Sequence, residues 1–154
     1  MINSAGPDLL ISIHHDSVQP VYLSEWTWKN EPAFFCDRYR GYSIFISDKN
    51  VKHNQSRSFA AVLGYKMRQA GFMPSAHHSE PVRGEGREPV DQKAGIYRFD
   101  ELAVLGKTKC PAVLLECGII RNRSEETLLR SRAYRQRMAR AVASAVSAFL
   151  DKGR

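Results

Sequence analysis

Asp8-Leu9-Leu10-Ile11-Ser12-Ile13-His14-His15-Asp16-Ser17 is a short apolar run that ends abruptly in two histidines and an aspartate. Leu9, Leu10, Ile11 and Ile13 predict a strand over 9–13, buried on both faces. In an open α/β sheet, binding groups collect where such strands end. A neutral imidazole there can ligate a metal, and a nearby carboxylate can orient it. The plainer alternative is a strand that stops at a polar turn bearing a surface histidine pair. A second stretch of the same design favours the first reading. Ala112-Val113-Leu114-Leu115-Glu116-Cys117-Gly118 is another buried strand with a carboxylate near its end.

The chain has 154 residues, which fits one domain with a sizeable core. Its hydrophobic content of 43% and aromatic content of 10% exclude a disordered chain. No apolar run approaches the length of a membrane span. Met1 to Asp8 lacks the basic region and apolar core of a signal peptide, so no export signal is expected within this chain. Cys36, Cys110 and Cys117 are odd in number and match no zinc-ribbon spacing. Cys117 reads as a small buried thiol, and no thiol-hydrolase signature surrounds it.

The formal charge is +7, and it is unevenly placed. From Arg121 onward there are nine basic residues, Arg121, Arg123, Arg130, Arg132, Arg135, Arg137, Arg140, Lys152 and Arg154, against Glu125, Glu126 and Asp151. Such a face suits polyanionic surroundings, or is simply the solvated side of a helix. Nucleic-acid partners are not expected. No such motif is present, and aromatics do not alternate with the arginines.

Between the two decisive strands the pattern varies. Trp26, Trp28, Phe34, Phe35, Tyr39 and Tyr42 crowd into a segment broken by Pro20, Pro32 and Gly41. It reads as a lid or sugar-contacting wall, or as a satellite cluster under a long loop. Tyr42 to Ser47 predicts a second strand. Phe59, Val62, Leu63, Lys66, Met67 and Ala70 fall at helical spacing, predicting a helix over 56–70. Ser56 or Ser58 would cap it, and Gly71 would stop it. His77-His78-Ser79-Glu80 and Arg83-Gly84-Glu85-Gly86-Arg87-Glu88 read as a glycine-articulated rim of the cleft, with direct metal ligation the lesser reading. Tyr97 to Leu105 predicts a short helix or turn. Glu116, on an apolar strand, needs either a partner, Arg121 or Arg123, or a task. A long final helix is expected, capped by Ser124 and ended by Gly153, with Leu128, Leu129, Met138, Val142, Ala145, Val146, Phe149 and Leu150 on its buried side.

These residues carry a resemblance. Ile11 to Asp16 resembles the S-I-H-x-[N/D] signature of the zinc-dependent N-acetylmuramoyl-L-alanine amidases of bacterial cell walls. Leu102-Ala103-Val104-Leu105, Pro111 to Ile120, Asn122 and Glu125 resemble the same family's second signature, L-x-V-L…P-x-V-L-[VL]-E-x-G-[FI]-[IL]-x-N with an acidic residue shortly after. The order and the roughly hundred-residue separation also agree with that family.

The resemblance implies an α/β fold, a twisted mostly parallel sheet flanked by helices in the phosphorylase/hydrolase-like manner. It implies a bound Zn2+, with His14 as one ligand and Glu116 as the catalytic carboxylate. The implied reaction is hydrolysis of the amide between N-acetylmuramic acid and L-alanine in peptidoglycan, in the periplasm or outside the cell. Asp16 or His15 would support His14. The family places two further ligands, a G-H-G histidine and a glutamate, ahead of this point, and residues 1–13 contain neither. The chain, residues 1–154, is therefore expected to be the C-terminal portion of one catalytic domain, with little activity alone. His53, His77, His78 and Glu80 are alternative donors for which the resemblance gives no warrant. The competing expectation is a catalytically inactive cell-wall-binding or regulatory remnant of the fold. Muropeptide preference and oligomeric state are not legible.

Overall fold

A computed structural model describes residues 2–151 of the chain. In chain order, α1 (Ile2–Ala5) leads into β1 (Leu10–Asp16). The hairpin β2 (Ser24–Trp28) and β3 (Glu31–Phe35) precedes β4 (Ser43–Ile46) and α2 (His53–Gln69). Then come β5 (Pro89–Asp91), β6 (Ile96–Arg98), α3 (Ala103–Gly106), β7 (Ala112–Ile119), α4 (Arg123–Arg130) and α5 (Arg132–Leu150).

Five strands form one mixed sheet in the order β1-β7-β4-β6-β5. β1 pairs parallel with β7 and β4 parallel with β6, while β4–β7 and β5–β6 are antiparallel. This is the α/β class expected from the sequence. Side chains alternate between its faces. Ile44, Ile46, Val113, Leu115 and Cys117 meet Phe59, Leu63 and Met67 of α2 and Met138, Ala141 and Ala145 of α5 in the main core. The opposite face carries a smaller cluster of Phe45, Tyr97, Leu105, Ala112 and Leu114. Burying the leucine, isoleucine, methionine and phenylalanine side chains of the main core contributes roughly 1.5–3 kcal/mol each.

The structure corrects the sequence reading at several points. β1 is not buried on both faces. It is an edge strand with β7 as its partner, and Ile13 is 61% exposed. An apolar run does not reveal how many neighbours a strand has. The central, covered strands are β4 and β7. Much of the aromatic segment is not a loop. It forms a two-stranded hairpin whose tip, Lys29-Asn30, has both residues at positive φ, the backbone of a type I′ turn. A satellite cluster does form beside it, from Val18, Cys36, Tyr39 and Ile119. Ile96 to Arg98 is a strand, with the predicted helix confined to α3.

α2 begins three residues before the expected start, and neither serine caps it. Ser56 instead points inward, donating to Lys52 O and accepting from Ala112 N at 2.9 Å, which ties the helix to β7. Gly71 does stop it, at φ +80, with Phe72 N bonded back to Met67 O. The long final helix is two helices. Asn122, not Ser124, caps α4 through Oδ1, and Ser131 leaves helical geometry to cap α5. Leu128 and Leu150 are exposed rather than buried, and the predicted stop at Gly153 lies outside the described residues. The arginines of α5 lie on its solvated side.

Candidate functional site

Asp16 closes β1 and Glu116 lies near the end of β7, so both carboxylates stand at the carboxyl ends of parallel neighbours. Glu116 is flanked in register by His14 on one side and Ser43 on the other. The pairing then slips. His14 opposes Glu116, but Asp16 opposes Ile119, so β7 spends one extra residue at Cys117-Gly118. Gly118 adopts φ +149, a backbone that an L side chain rarely takes. Gly118 of the second motif thus works as the bulge residue that offsets the two strand ends.

The connection from Pro74 to Glu88 covers this end of the sheet. Ser75 is held by Tyr42 O through its backbone N–H and accepts from Tyr97 OH at its carbonyl, 2.7 Å away. His77 and His78 follow in a single 3-10 turn and are both buried. Their Nδ1 atoms are engaged, His77 with Ser75 Oγ at 2.8 Å and His78 with Glu85 Oε2 at 2.9 Å. Glu85 is in turn held by Gln19 Nε2 at 3.1 Å. Both Nε2 atoms face Asp16 Oδ2, at 3.3 Å from His77 and 3.0 Å from His78. Neither contact is aligned as a hydrogen bond, so Asp16 Oδ2, His77 Nε2 and His78 Nε2 are buried polar atoms without hydrogen-bond partners. Glu116 Oε2 is in the same condition.

A cleft of about 240 Å³ opens over these groups, with Asp16, Phe45, His78, Glu85, Arg87, Phe99 and Glu116 in its walls. Arg87 lies 3.6 Å above the Phe99 ring centroid. A larger hollow, of about 830 Å³, sits at the other end of β1 and β7, beside Pro7, Asp8, Cys110 and Pro111.

The electrostatics follow from burial and neighbours. Burial, helped by the negative charge of Asp16, pushes Glu116 up to about 7. Burial alone would lower His78, but the carboxylates of Asp16 and Glu85 outweigh it and hold its imidazole above the usual range. His77, the more enclosed ring, is lowered by burial and by the charge of His78. Among the described residues no arginine partners Glu116: Arg123 is engaged with Asp37 and with the Phe35 ring, whose centroid is 3.8 Å from its Cζ.

The sequence-predicted residues therefore divide. Glu116 lies in the cleft. His14 is on the same face, beside Glu116 in register, but it is solvent-exposed, with Nε2 2.9 Å from Ser12 Oγ, and it does not line the cleft. Asp16 contacts His77 and His78 rather than supporting His14. The rim reading holds for Gly84, Glu85 and Arg87, which line the cleft. It missed the burial of the His77-His78 pair. The one available signal was the second His-His dipeptide, and no periodicity distinguishes a buried pair from an exposed one. His53 and Glu80 lie outside the cluster.

Whether this end of the sheet suits zinc is decided by its donor atoms. One carboxylate oxygen and two imidazole nitrogens, all within 4.8 Å of one another, face inward without hydrogen bonds, and the far side of each ring is already oriented. That is a donor set zinc accepts.

The chain belongs to the N-acetylmuramoyl-L-alanine amidase family, whose sequence model matches residues 1–148. The fold is shared with solved members of that class. The amidase Ami1 of Mycobacterium smegmatis superposes with a TM-score of 0.72 at 23% identity, over 97% of this chain and 57% of that one. An N-acetylmuramoyl-L-alanine amidase of Clostridium difficile 630 gives 0.65 at 20%, over 97% and 61%. The catalytic domain of CwlV from Bacillus (Paenibacillus) polymyxa gives 0.64 at 21%, over 96% and 60%. The chain thus spans about three-fifths of the length of these structures. A search of the curated proteins finds no match.

Proposed function

We propose that residues 1–154 are the C-terminal portion of the catalytic domain of a zinc-dependent peptidoglycan amidase, acting in the periplasm or outside the cell. The substrate is the amide between N-acetylmuramic acid and L-alanine. The single observation that carries the reading is Glu116, a carboxylate on a buried strand, in a cleft, with an unsatisfied oxygen and a pKa near neutrality.

Zinc, when bound, supplies Lewis acidity, polarising a carbonyl and acidifying water. Glu116 supplies the proton traffic. With a pKa of about 7 it is present in both forms at neutral pH, so it can take a proton from the attacking water and deliver it to the leaving L-alanine amine. Phe45 and Phe99 make part of the cleft wall apolar, which strengthens electrostatic interactions beside them. Arg87 presents a cation at the same wall, suited to a substrate carboxylate. His14, beside Glu116 on the same face, is the metal ligand that the family resemblance assigns, in company with groups outside residues 1–13.

The test is made on the full product of the coding gene, with the 154-residue chain assayed beside it. Purified muropeptides are incubated with zinc, and stem peptides bearing a new L-alanine amine are quantified by mass spectrometry. Release by the wild type and a loss of about 100-fold or more in E116Q are expected. An E116Q protein that hydrolyses at the wild-type rate would overturn the assignment.

A further inference from the structure

We infer that Asp16, His77 and His78 form a divalent transition-metal site of their own, of the zinc class, built without His14. The inference stands on these side chains and not on the amidase reading; a protein with no hydrolytic activity would bind the ion equally.

Four observations converge on it. First, the three inward atoms are orphaned although His77 is fully buried and His78 nearly so. A buried donor or acceptor left without a partner costs about 1–3 kcal/mol, so three together call for a common partner. Second, the spacing suits one ion. Zinc ligands at about 2.0–2.1 Å in tetrahedral array stand about 3.3 Å from one another, and Asp16 Oδ2 lies 3.3 and 3.0 Å from the two Nε2 atoms. Third, each ring is fixed from behind, His78 by the Glu85 carboxylate and His77 by Ser75 Oγ. Such partners set the tautomer and raise ligand basicity, and the Glu85–His78 pair is the carboxylate–histidine arrangement that metal sites use. Fourth, carboxylates outnumber fixed cations around it. Asp16, Glu85 and Glu116 all border the cleft, with Arg87 the one arginine among its walls.

Nitrogen donors argue against calcium and magnesium, which take oxygen. One carboxylate and two imidazoles suit zinc and cobalt(II). Three protein ligands would leave one position of a four-coordinate ion open.

The experiment uses the whole chain, stripped with chelator and dialysed. Zinc affinity is read by competition with a chromophoric chelator, and cobalt(II) is followed by its visible absorption. One equivalent is expected for the wild type and for H53Q, whose ring lies outside the cluster. D16N, H77Q and H78Q should each lose more than about 100-fold in affinity, and E85Q about 10–100-fold. Circular dichroism of the metal-free proteins checks folding. Should a variant unfold, nitrogen NMR of the wild-type histidine rings decides. Zinc-induced shifts at His77 and His78, with His14 unmoved, support the site. A wild type that binds no zinc, a loss of binding in H53Q, or ring shifts confined to His14 would each overturn it. None of these readouts depends on muropeptide hydrolysis, so failure here and failure of the amidase assignment are separable.

Discussion

The Glu125 carboxylate accepts a hydrogen bond from the backbone N–H of Gly41 at 2.8 Å, across 84 residues of sequence. Its other oxygen accepts from Ile119 N, also at 2.8 Å. One buried side chain of α4 thus clamps the entry to β4 onto the end of β7, next to the bulge that positions Asp16. Burial raises its pKa, and the two backbone donors partly offset that. E125A strands two buried amides, each costing about 1–3 kcal/mol. A loss of roughly 2–5 kcal/mol is expected, read by urea unfolding. A change within 0.5 kcal/mol would show that the clamp contributes nothing.

Glu116 should destabilise the fold that holds it. Its pKa rises from 4.5 to about 7 on folding, so the native state binds more protons than the unfolded chain between those values. Stability therefore falls as pH rises through that window, by roughly 3 kcal/mol in total, and is level below it and above it. E116Q removes the ionisation. In metal-free protein the variant should gain stability over wild type progressively from about pH 4.5 to 7 while losing catalysis. Parallel melting curves across this range would refute the linkage.

His78 titrates the other way. Its raised pKa means that the charged ring stabilises the metal-free fold, fully below the unfolded value of 6.5, with loss as pH rises through the folded value. E85Q removes one of the two carboxylates that hold the charge. The His78 ring should then deprotonate at lower pH, as measured by NMR titration. An unchanged midpoint would mean that Asp16 alone sets it.

The aromatic hairpin is held to α4 by one arginine. Arg123 pairs with Asp37, whose carboxyl it holds below the usual range, and covers the Phe35 ring. The pair is half-exposed, so R123A should cost only about 1 kcal/mol globally. Its local effect should be larger, with faster tryptic cleavage at Lys29 on the hairpin tip. Cleavage at the wild-type rate would place the anchor elsewhere, for example at the Cys36 N–H to Arg121 O bond.

The two decisive strands, α2 and the Glu116 position were legible because hydrophobic period and strand-end chemistry are local signals. The Ser56 bond, the Asn122 cap and the break at Ser131 were not, because each depends on where a short polar side chain finds its partner in three dimensions. β1 was misjudged for a related reason: seven residues describe a strand but not its place in a sheet. The site divides in the same way. Glu116 announces itself as a charge in an apolar run. His77 and His78 sit in the most polar connection of the chain, and only the Ser75, Glu85 and Asp16 contacts reveal that they are buried.

The parallel pairing of β1 with β7 joins Leu10 to Ala112 and His14 to Glu116. During synthesis at about 5–20 residues per second, β1 must wait roughly 5–20 seconds for its partner strand to leave the ribosome. Until β7 is made, β1 lacks its one partner strand among the described residues, and Asp16 lacks Glu116 beside it. A chain released before β7, even one long enough to form α2, therefore lacks the strand that carries Glu116.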